Sequence, residues 1–468
     1  MKNIILFFAA IGIFAARAQS TFLNAAVYGG PGNDDAAAMS PTADGGFILA
    51  GKSGIVGGDV TANGGCDDFW LVKLQENGTL EWQESIPLEG CQYIRDIVPT
   101  QDQGYVVLGQ FGTAPERVRL MKLNSVLDVQ WEYSVDADPA LYTTGVDLLQ
   151  ANDGGYLMSG YMFDGLFPPI TAFFIKLDSQ GSFQWEHIEE SANGDARITP
   201  CQDGTFLLSA AVEYIPGNIA PQVIKVDSDG NILWTQLYDQ DMYFHSVNTI
   251  TETSDGGFVA SSTNYSDTPL FYNLNIMKAD PEGNLQWIRA NDGSPLMDFP
   301  VLLQEMPNGG FLGVAYSYDS SAGDIYVFQA DADGYITDEA YYGGSGPDQP
   351  TDAIFDGAQL YLAGATASNN GNFSPGNGMV DAFFMKIGVL LSTPGIANRP
   401  SQIWPNPAVS ELNIPFEFSS AEIIDIAGKN IRHFGYAPQI DLSGIAAGSY
   451  LVRLQTPHGL RVLRFLKK

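Results

Sequence analysis

The sequence predicts an all-β fold: a seven-bladed β-propeller closed by its N-terminal strand, followed by a small C-terminal β-sandwich. Three observations carry that prediction. The first is a phrase, Asp-Gly-Gly running into an apolar strand, seen at Asp44-Gly45-Gly46-Phe47-Ile48-Leu49-Ala50-Gly51. It recurs around Asp102, Asp153, Asp203, Asp255, Asn308 and Asp356, at intervals of 58, 51, 50, 52, 53 and 48 residues. A near-constant period of this length means one supersecondary unit used over and over. The second is the content of each copy, which holds four short strands; a solenoid coil needs fewer, and a sandwich shows no such period. The third is an echo between the ends of the array. Ala26-Val27-Tyr28-Gly29-Gly30-Pro31-Gly32 resembles Tyr341-Tyr342-Gly343-Gly344-Ser345-Gly346-Pro347, where the sixth copy ends.

Residues 1–18 read as a signal peptide. Lys2 precedes the apolar run Ile4–Ala15, and Ala16-Arg17-Ala18 supplies the small-x-small pattern of a cleavage site. That run is too short to anchor the chain in a bilayer, and no transmembrane anchor is expected. Residues 19–390 hold the repeats. Within each, a first strand leads to the Asp-Gly-Gly turn and a second apolar strand follows. A long connection then precedes a third strand such as Asp68-Phe69-Trp70-Leu71-Val72-Lys73-Leu74. The fourth strand carries Trp82, Trp131, Trp185, Trp234 or Trp287 in the first five copies, which packing explains. The seventh copy stops after three strands, whereas Thr21–Tyr28 is a fourth strand without its first three. Pairing one with the other leaves no open sheet edge. Residues 391–401, with Pro394, Gly395 and Pro400, read as a linker.

Composition narrows the partner. The chain carries 22 Lys+Arg against 54 Asp+Glu, a net charge of −32, which excludes a phosphate backbone as natural partner and gives no reason to expect nucleic acid. The sign changes along the chain: residues 396–468 carry 8 basic and 5 acidic side chains, so the acidity belongs to the repeats.

Residues 402–468 follow another pattern. Trp404-Pro405-Asn406-Pro407 opens it, then come Asp425-Ile426-Ala427-Gly428-Lys429, Asp441-Leu442-Ser443 and Gly448-Ser449-Tyr450-Leu451, in short alternating strands that suggest a small sandwich. These motifs, in this order up to Lys467-Lys468, resemble the C-terminal sorting domain of type IX secretion substrates, with Trp404 where Tyr is commoner. The resemblance implies the type IX secretion machinery of a Bacteroidetes-type bacterium as a partner. It also implies passage through the periplasm and a final location outside the cell or on its outer surface. The repeats are similar to propeller repeats of other secreted proteins of that group, which bears on fold and not activity.

Alternating strand direction puts the connections on two faces. The Asp-Gly-Gly turns and the turns from third to fourth strand share one. The long, variable connections share the other, including Gly51–Asp67, Tyr161–Thr171, Val212–Pro221, Tyr265–Asn273, Tyr316–Gly323 and Ala365–Val380. Function on a repeated scaffold usually lies on its variable loops. Phe163, Tyr214, Tyr243, Tyr265, Tyr272, Tyr316 and Tyr318 gather there, interleaved with Asp164, Asp239, Asp241, Asp267 and Asp319. Rings beside carboxylates suit stacking on sugars and also protein contacts; packing onto the strands is the competing explanation for each.

Cys66 and Cys91 fall on that same face and, in an exported protein, are expected to form a disulfide, while Cys201 beside the Asp203 turn stays unpaired. Aligning first strands on the phrase brings Asp96, Asp147 and Arg197 to one register near the axis. Two carboxylates and an arginine could serve acid/base chemistry, or could form ion pairs between blades. Asp227-Ser228-Asp229-Gly230 and Asp331-Ala332-Asp333-Gly334 resemble pieces of calcium loops but lack alternate ligands, and read as β-turns. No metal or cofactor is expected. The expectation is a non-catalytic propeller binding a glycan or surface protein through its long-loop face. The alternatives are a glycan hydrolase or lyase centred at the channel mouth, and a structural adhesion component.

Overall fold

The computed structural model describes residues 20–468 apart from 63–66, 87–90, 113–116, 136–140, 164–169, 193–195, 216–217, 239–245, 267–270, 291–296, 319–322, 390–407, 414–419, 426–428, 436–438 and 457–458. The signal peptide and the linker therefore lie outside the described residues. The chain divides into two compact units between Ser392 and Thr393.

All regular structure described is β. The first unit holds five four-stranded antiparallel sheets and an eight-stranded one, the latter being the third and fourth repeats joined through the single pair Ala192–Val212. Repeat one runs Asp35–Pro41, Phe47–Ser53, Asp68–Leu74 and Leu80–Ile86, each strand pairing with the next. The terminal sheet takes Asp348–Phe355, Gln359–Thr366 and Asp381–Val389 from the end of the unit and adds Ser20–Tyr28 antiparallel to the last of these, with Ala25 opposite Met385.

The recurring phrase is explained by the turn it makes and the charge it supplies. In five repeats the glycine after the Asp (or Asn) has positive φ, between 80° and 84°, at Gly45, Gly154, Gly204, Gly256 and Gly309, where a side chain would be strained. The Asp carboxylate caps the turn, Asp153 accepting the Gly155 N–H at 2.8 Å. It also receives a lysine ammonium from the third strand: Lys73–Asp44 at 2.9 Å, Lys122–Asp102 at 2.9 Å, Lys176–Asp153 at 2.7 Å, Lys225–Asp203 at 3.1 Å and Lys278–Asp255 at 2.7 Å. A lysine buried in a sheet sandwich is tolerated only with such a partner. Repeat six changes both members to neutral ones, Asn308 and Gln329.

Successive repeats are locked by the tryptophans. In repeats three to six the glycine of the third-to-fourth turn has positive φ and no Cβ, and the preceding repeat's Trp fills the space. A Cβ on Gly181 would stand 2.7 Å from Trp131, and one on Gly230 would stand 2.7 Å from Trp185. Trp185 Nε1 also donates to Ser228 O at 3.0 Å. Between the terminal sheet and repeat one, Phe384 takes the tryptophan's place against Gly78, and the Tyr28 hydroxyl donates to Gly78 O. The first strand of each repeat lies against the first strand of the next, through all the repeats, and Asp348–Phe355 lies against Asp35–Pro41. The architecture is propeller-like.

The second unit has a four-stranded sheet, Asn430–Gly435, Ser420–Asp425, Gly448–Thr456 and Gly459–Lys467 in spatial order, and a pair, Glu411–Asn413 with Gln439–Asp441. Leu412 and Ile440 from the pair share one core with Ile423, Val452 and Leu454 from the sheet.

Candidate functional site

The axial residues are brought together, and each is engaged. Arg197 Nη1 donates to Asp147 Oδ1 at 2.7 Å, and Asp147 Oδ2 accepts the Ile198 N–H at 3.1 Å. Asp96 Oδ2 accepts the N–H of Leu148, in the next repeat, at 2.7 Å. A fourth member, Asp352, escapes the alignment: its Oδ2 accepts the Met39 N–H at 2.7 Å. Asp352 stands four residues before its phrase rather than six, because Asp356 opens its turn whereas Asp102 is third in its own. Pro99 pairs with Tyr105 in repeat two, whereas Phe355 pairs with Leu360. Measured from the strand end, Asp96 and Asp352 are equivalent, each following a bulge in its strand that turns the carboxylate toward the neighbouring repeat. Counting back from Phe355 instead of from Asp356 would have found it.

Burial pushes the Asp352 carboxyl up to about 6, with the Asp147 charge adding to the rise while the Met39 and Ala353 N–H groups and Arg197 oppose it. Asp96 is raised well above the ordinary carboxylate value by burial, then by the charges of Asp352 and Asp147. The cluster is a set of clasps between first strands.

Phe163, Tyr214, Tyr265, Tyr272, Tyr316 and Tyr318 lie where second strands end and third strands begin. Several of the expected long loops are strand: Phe206–Ile215 and Asn218–Val226 form a nearly continuous hairpin, as do Phe258–Ser266 with Phe271–Ala279, and Phe311–Tyr318 with Gly323–Ala330. Aromatic and β-branched residues extend the ladders past the core, so Tyr214, Tyr316 and Tyr318 stand on projecting hairpin ends. Tyr265 pairs with Tyr272 across its hairpin. Phe163 stacks on Tyr142 with centroids 5.6 Å apart and planes at 23°. Tyr142 and Tyr214 are 37% and 38% exposed, enough to offer a ring face. Tyr316 differs, because its ring packs onto Gly323 and burial raises its hydroxyl. Tyr243 and the aspartates 164, 239, 241, 267 and 319 lie outside the described residues, as does Cys66, so the expected disulfide with Cys91 does too. Cys201 is free and buried, and burial pushes its thiol up to about 11.

On the opposite face, a cavity of about 450 Å³ lies among Ser254, Glu305, Met306, Pro307, Phe355 and Asp356. Among the described residues, Cys201, Asp203 and Glu252 have ligand atoms within 4.8 Å of one another. Lys225 already occupies Asp203 at 3.1 Å, and Glu252 accepts the Gln202 N–H at 2.8 Å, which leaves little for a metal.

In the second unit, Asp425 Oδ1 accepts the Lys429 N–H at 2.9 Å, and Tyr450 Oη donates to Ala446 O at 3.0 Å. Those contacts give Asp425 and Tyr450 structural work, while Gly448 begins the strand and Trp404, Pro405, Asn406, Pro407 and Gly428 lie outside the described residues.

Comparison with known proteins finds that residues 402–468 match the family described as the secretion system C-terminal sorting domain. No curated protein matches the chain. Among solved structures, the extracellular domain of a hybrid two-component system from B. thetaiotaomicron is 10% identical over 93% of this chain and 55% of its own, with a TM-score of 0.41. Puromycin hydrolase is 12% identical over 93% of this chain and 62% of its own, TM-score 0.47. A protein of unknown function from Dyadobacter fermentans is 12% identical over 79% of this chain and 99% of its own, TM-score 0.41. The chain spans 55–62% of the length of the first five structures it matches.

Proposed function

We propose that this protein, which a type IX sorting domain at residues 402–468 directs out of the cell or onto its surface, is a seven-bladed propeller that binds a glycan through its projecting hairpin ends. In this reading residues 1–18 are a signal peptide removed on export, residues 19–390 are the propeller, and residues 391–401 link it to the sorting domain. The ring of first-strand contacts and the pairing of Ser20–Tyr28 with Asp381–Val389 support closure by the N-terminal strand.

The observation that carries the binding assignment is the stacked Tyr142–Phe163 pair with its part-exposed outer ring. Flat apolar ring faces beside hydrogen-bonding groups complement the C–H faces of sugars. A surface protein is the second reading, since such rings are also what protein interfaces use. Catalysis at the axis is disfavoured by its carboxylates, whose lone pairs hold main-chain N–H groups and Arg197 in place.

A binding screen of the secreted protein against extracellular glycans and outer-membrane proteins tests the proposal. Specific glycan binding that is lost in Tyr142→Ala and weakened in Tyr214→Ala, with unchanged thermal unfolding, supports it. Binding that survives both changes, or that is found only to proteins, overturns the glycan assignment.

A further inference from the structure

Where the terminal sheet meets repeat one, two buried carboxylates converge on a glycine that has to be a glycine. Asp34 is fully buried and Asp381 is 3% exposed. A Cβ built on Gly29 would stand 2.9 Å from Asp34 Oδ2 and closer still to Asp381 Oδ1, so the two oxygens face the same small space. Asp34 is supported by main-chain donors, Gly30 N–H at 2.7 Å on Oδ2 and Gly54 N–H at 2.9 Å on Oδ1. Asp381 receives Gly378 N–H at 3.1 Å on Oδ2, but its buried Oδ1 has no hydrogen-bond partner. Leaving a buried carboxylate oxygen bare beside a second carboxylate is costly unless a positive charge joins them.

Among the described residues, no side chain supplies that charge. The nearby lysine, Lys52, is taken up by Asp67 at 2.9 Å and Asp35 at 3.9 Å. A third acid, Asp59, accepts the Gly29 N–H at 3.1 Å, adding to the negative potential. A glycine cradle of similar shape lies between repeat six and the terminal sheet, but there the Thr366 and Ser368 hydroxyls donate to the two oxygens of Asp348. A Cβ on Gly343 would stand 2.7 Å from Asp348 Oδ2 and closer still to Asp324 Oδ1, and Gly344 N–H donates to Asp348 Oδ2 at 2.7 Å. The two loops share one spacing: Tyr28-Gly29-Gly30 before Asp34, Tyr342-Gly343-Gly344 before Asp348.

We propose that the Asp34–Asp381 pair binds a hard divalent cation of the calcium class at the junction of the terminal sheet and repeat one, water completing the coordination. Two carboxylates with main-chain support suit the weak affinity of extracellular calcium modules, about 0.1–1 mM. The raised pKa of both Asp34 and Asp381, caused first by burial, is what a cation would relieve. Because Asp34 belongs to repeat one and Asp381 to the terminal sheet, an ion between them would tie the two ends of the array.

Calcium itself is the probe. Equilibrium dialysis of the full-length protein counts bound ions, and thermal unfolding reads their linkage to folding. The wild type is expected to hold one ion at this pair and to gain about 2–4 °C in unfolding midpoint at calcium well above its Kd. Asp381→Asn should bind one ion fewer and lose that gain; Asp34→Asn should do the same if Asp381→Asn fails to fold. A wild type that binds no calcium, or an Asp381→Asn variant that binds as much as wild type, overturns the proposal. An Asp381→Asn variant more stable than wild type without calcium dependence would also overturn it, because the pair would then be sharing a proton.

Discussion

Asp352 and Met39, 313 residues apart in sequence, are joined by a hydrogen bond of 2.7 Å from the Met39 main-chain N–H to Asp352 Oδ2. The contact fastens the first strand of the terminal sheet to the first strand of repeat one. Asp96 makes the equivalent bond to Leu148.

Asp352→Ala should therefore cost about 2–3 kcal/mol in chemical denaturation, the range for a charge-assisted bond whose loss strands a donor. The pH dependence has a definite sign. The folded carboxyl, at about 6, lies above its unfolded value of about 3.9. Its proton thus contributes stability that is fully present below the unfolded value and is lost as pH climbs through about 6. Asp352→Asn should flatten that part of the stability curve. A curve of unchanged slope would mean that Asp352 titrates normally.

The Lys176 side chain is fully buried and meets Asp153 at 2.7 Å. Asp153→Ala removes the countercharge, leaving Gln184 and Leu177 O as neutral acceptors. The expected loss is about 1–3 kcal/mol, below that of a fully buried pair because Asp153 is half exposed. Burial tends to raise the Asp153 carboxyl, but Lys176 and the Gly155 N–H bring it below the usual value overall. The pair's stabilisation should be present above the unfolded pKa and fade as pH falls through the lower folded one. Lys176→Met together with Asp153→Ala should recover much of the loss.

Gln103 has φ of 64° in an exposed turn where the six other repeats have glycine. Gln103→Gly should raise stability by about 1 kcal/mol, since relief of left-handed strain outweighs the added freedom of the unfolded chain. No change, or a decrease, would show that the Gln103 side chain contributes something the turn geometry does not reveal.

The repeats were legible because local chemistry dictates them. Asp-Gly-Gly encodes a capped turn with positive φ, and a buried apolar strand with lysine near its end encodes the partner for that Asp. What sequence spacing could not supply was three-dimensional registration. Asp352 was hidden because Asp356 opens its turn, two places earlier than Asp102 in its own. The hairpins carrying Tyr214 and Tyr316 read as loops because polar residues interrupt them, yet cross-strand pairing extends them as strands. The Gly-Gly echo between Gly29 and Gly343 was visible as a strand end, but its meaning depends on Asp381 and Asp324, which come from other strands. The sorting domain was readable because its motifs are short and fixed in order.

The most direct test of the ring is hydrogen exchange at the amides of residues 20–28 in the native secreted protein, compared with those of Gln359–Thr366 in the same sheet. The account predicts that the slowest amides of both segments exchange at the same rate, through one cooperative opening, because Ser20–Tyr28 is the fourth strand of the terminal sheet. Fast exchange throughout residues 20–28 beside a protected Gln359–Thr366 would contradict it.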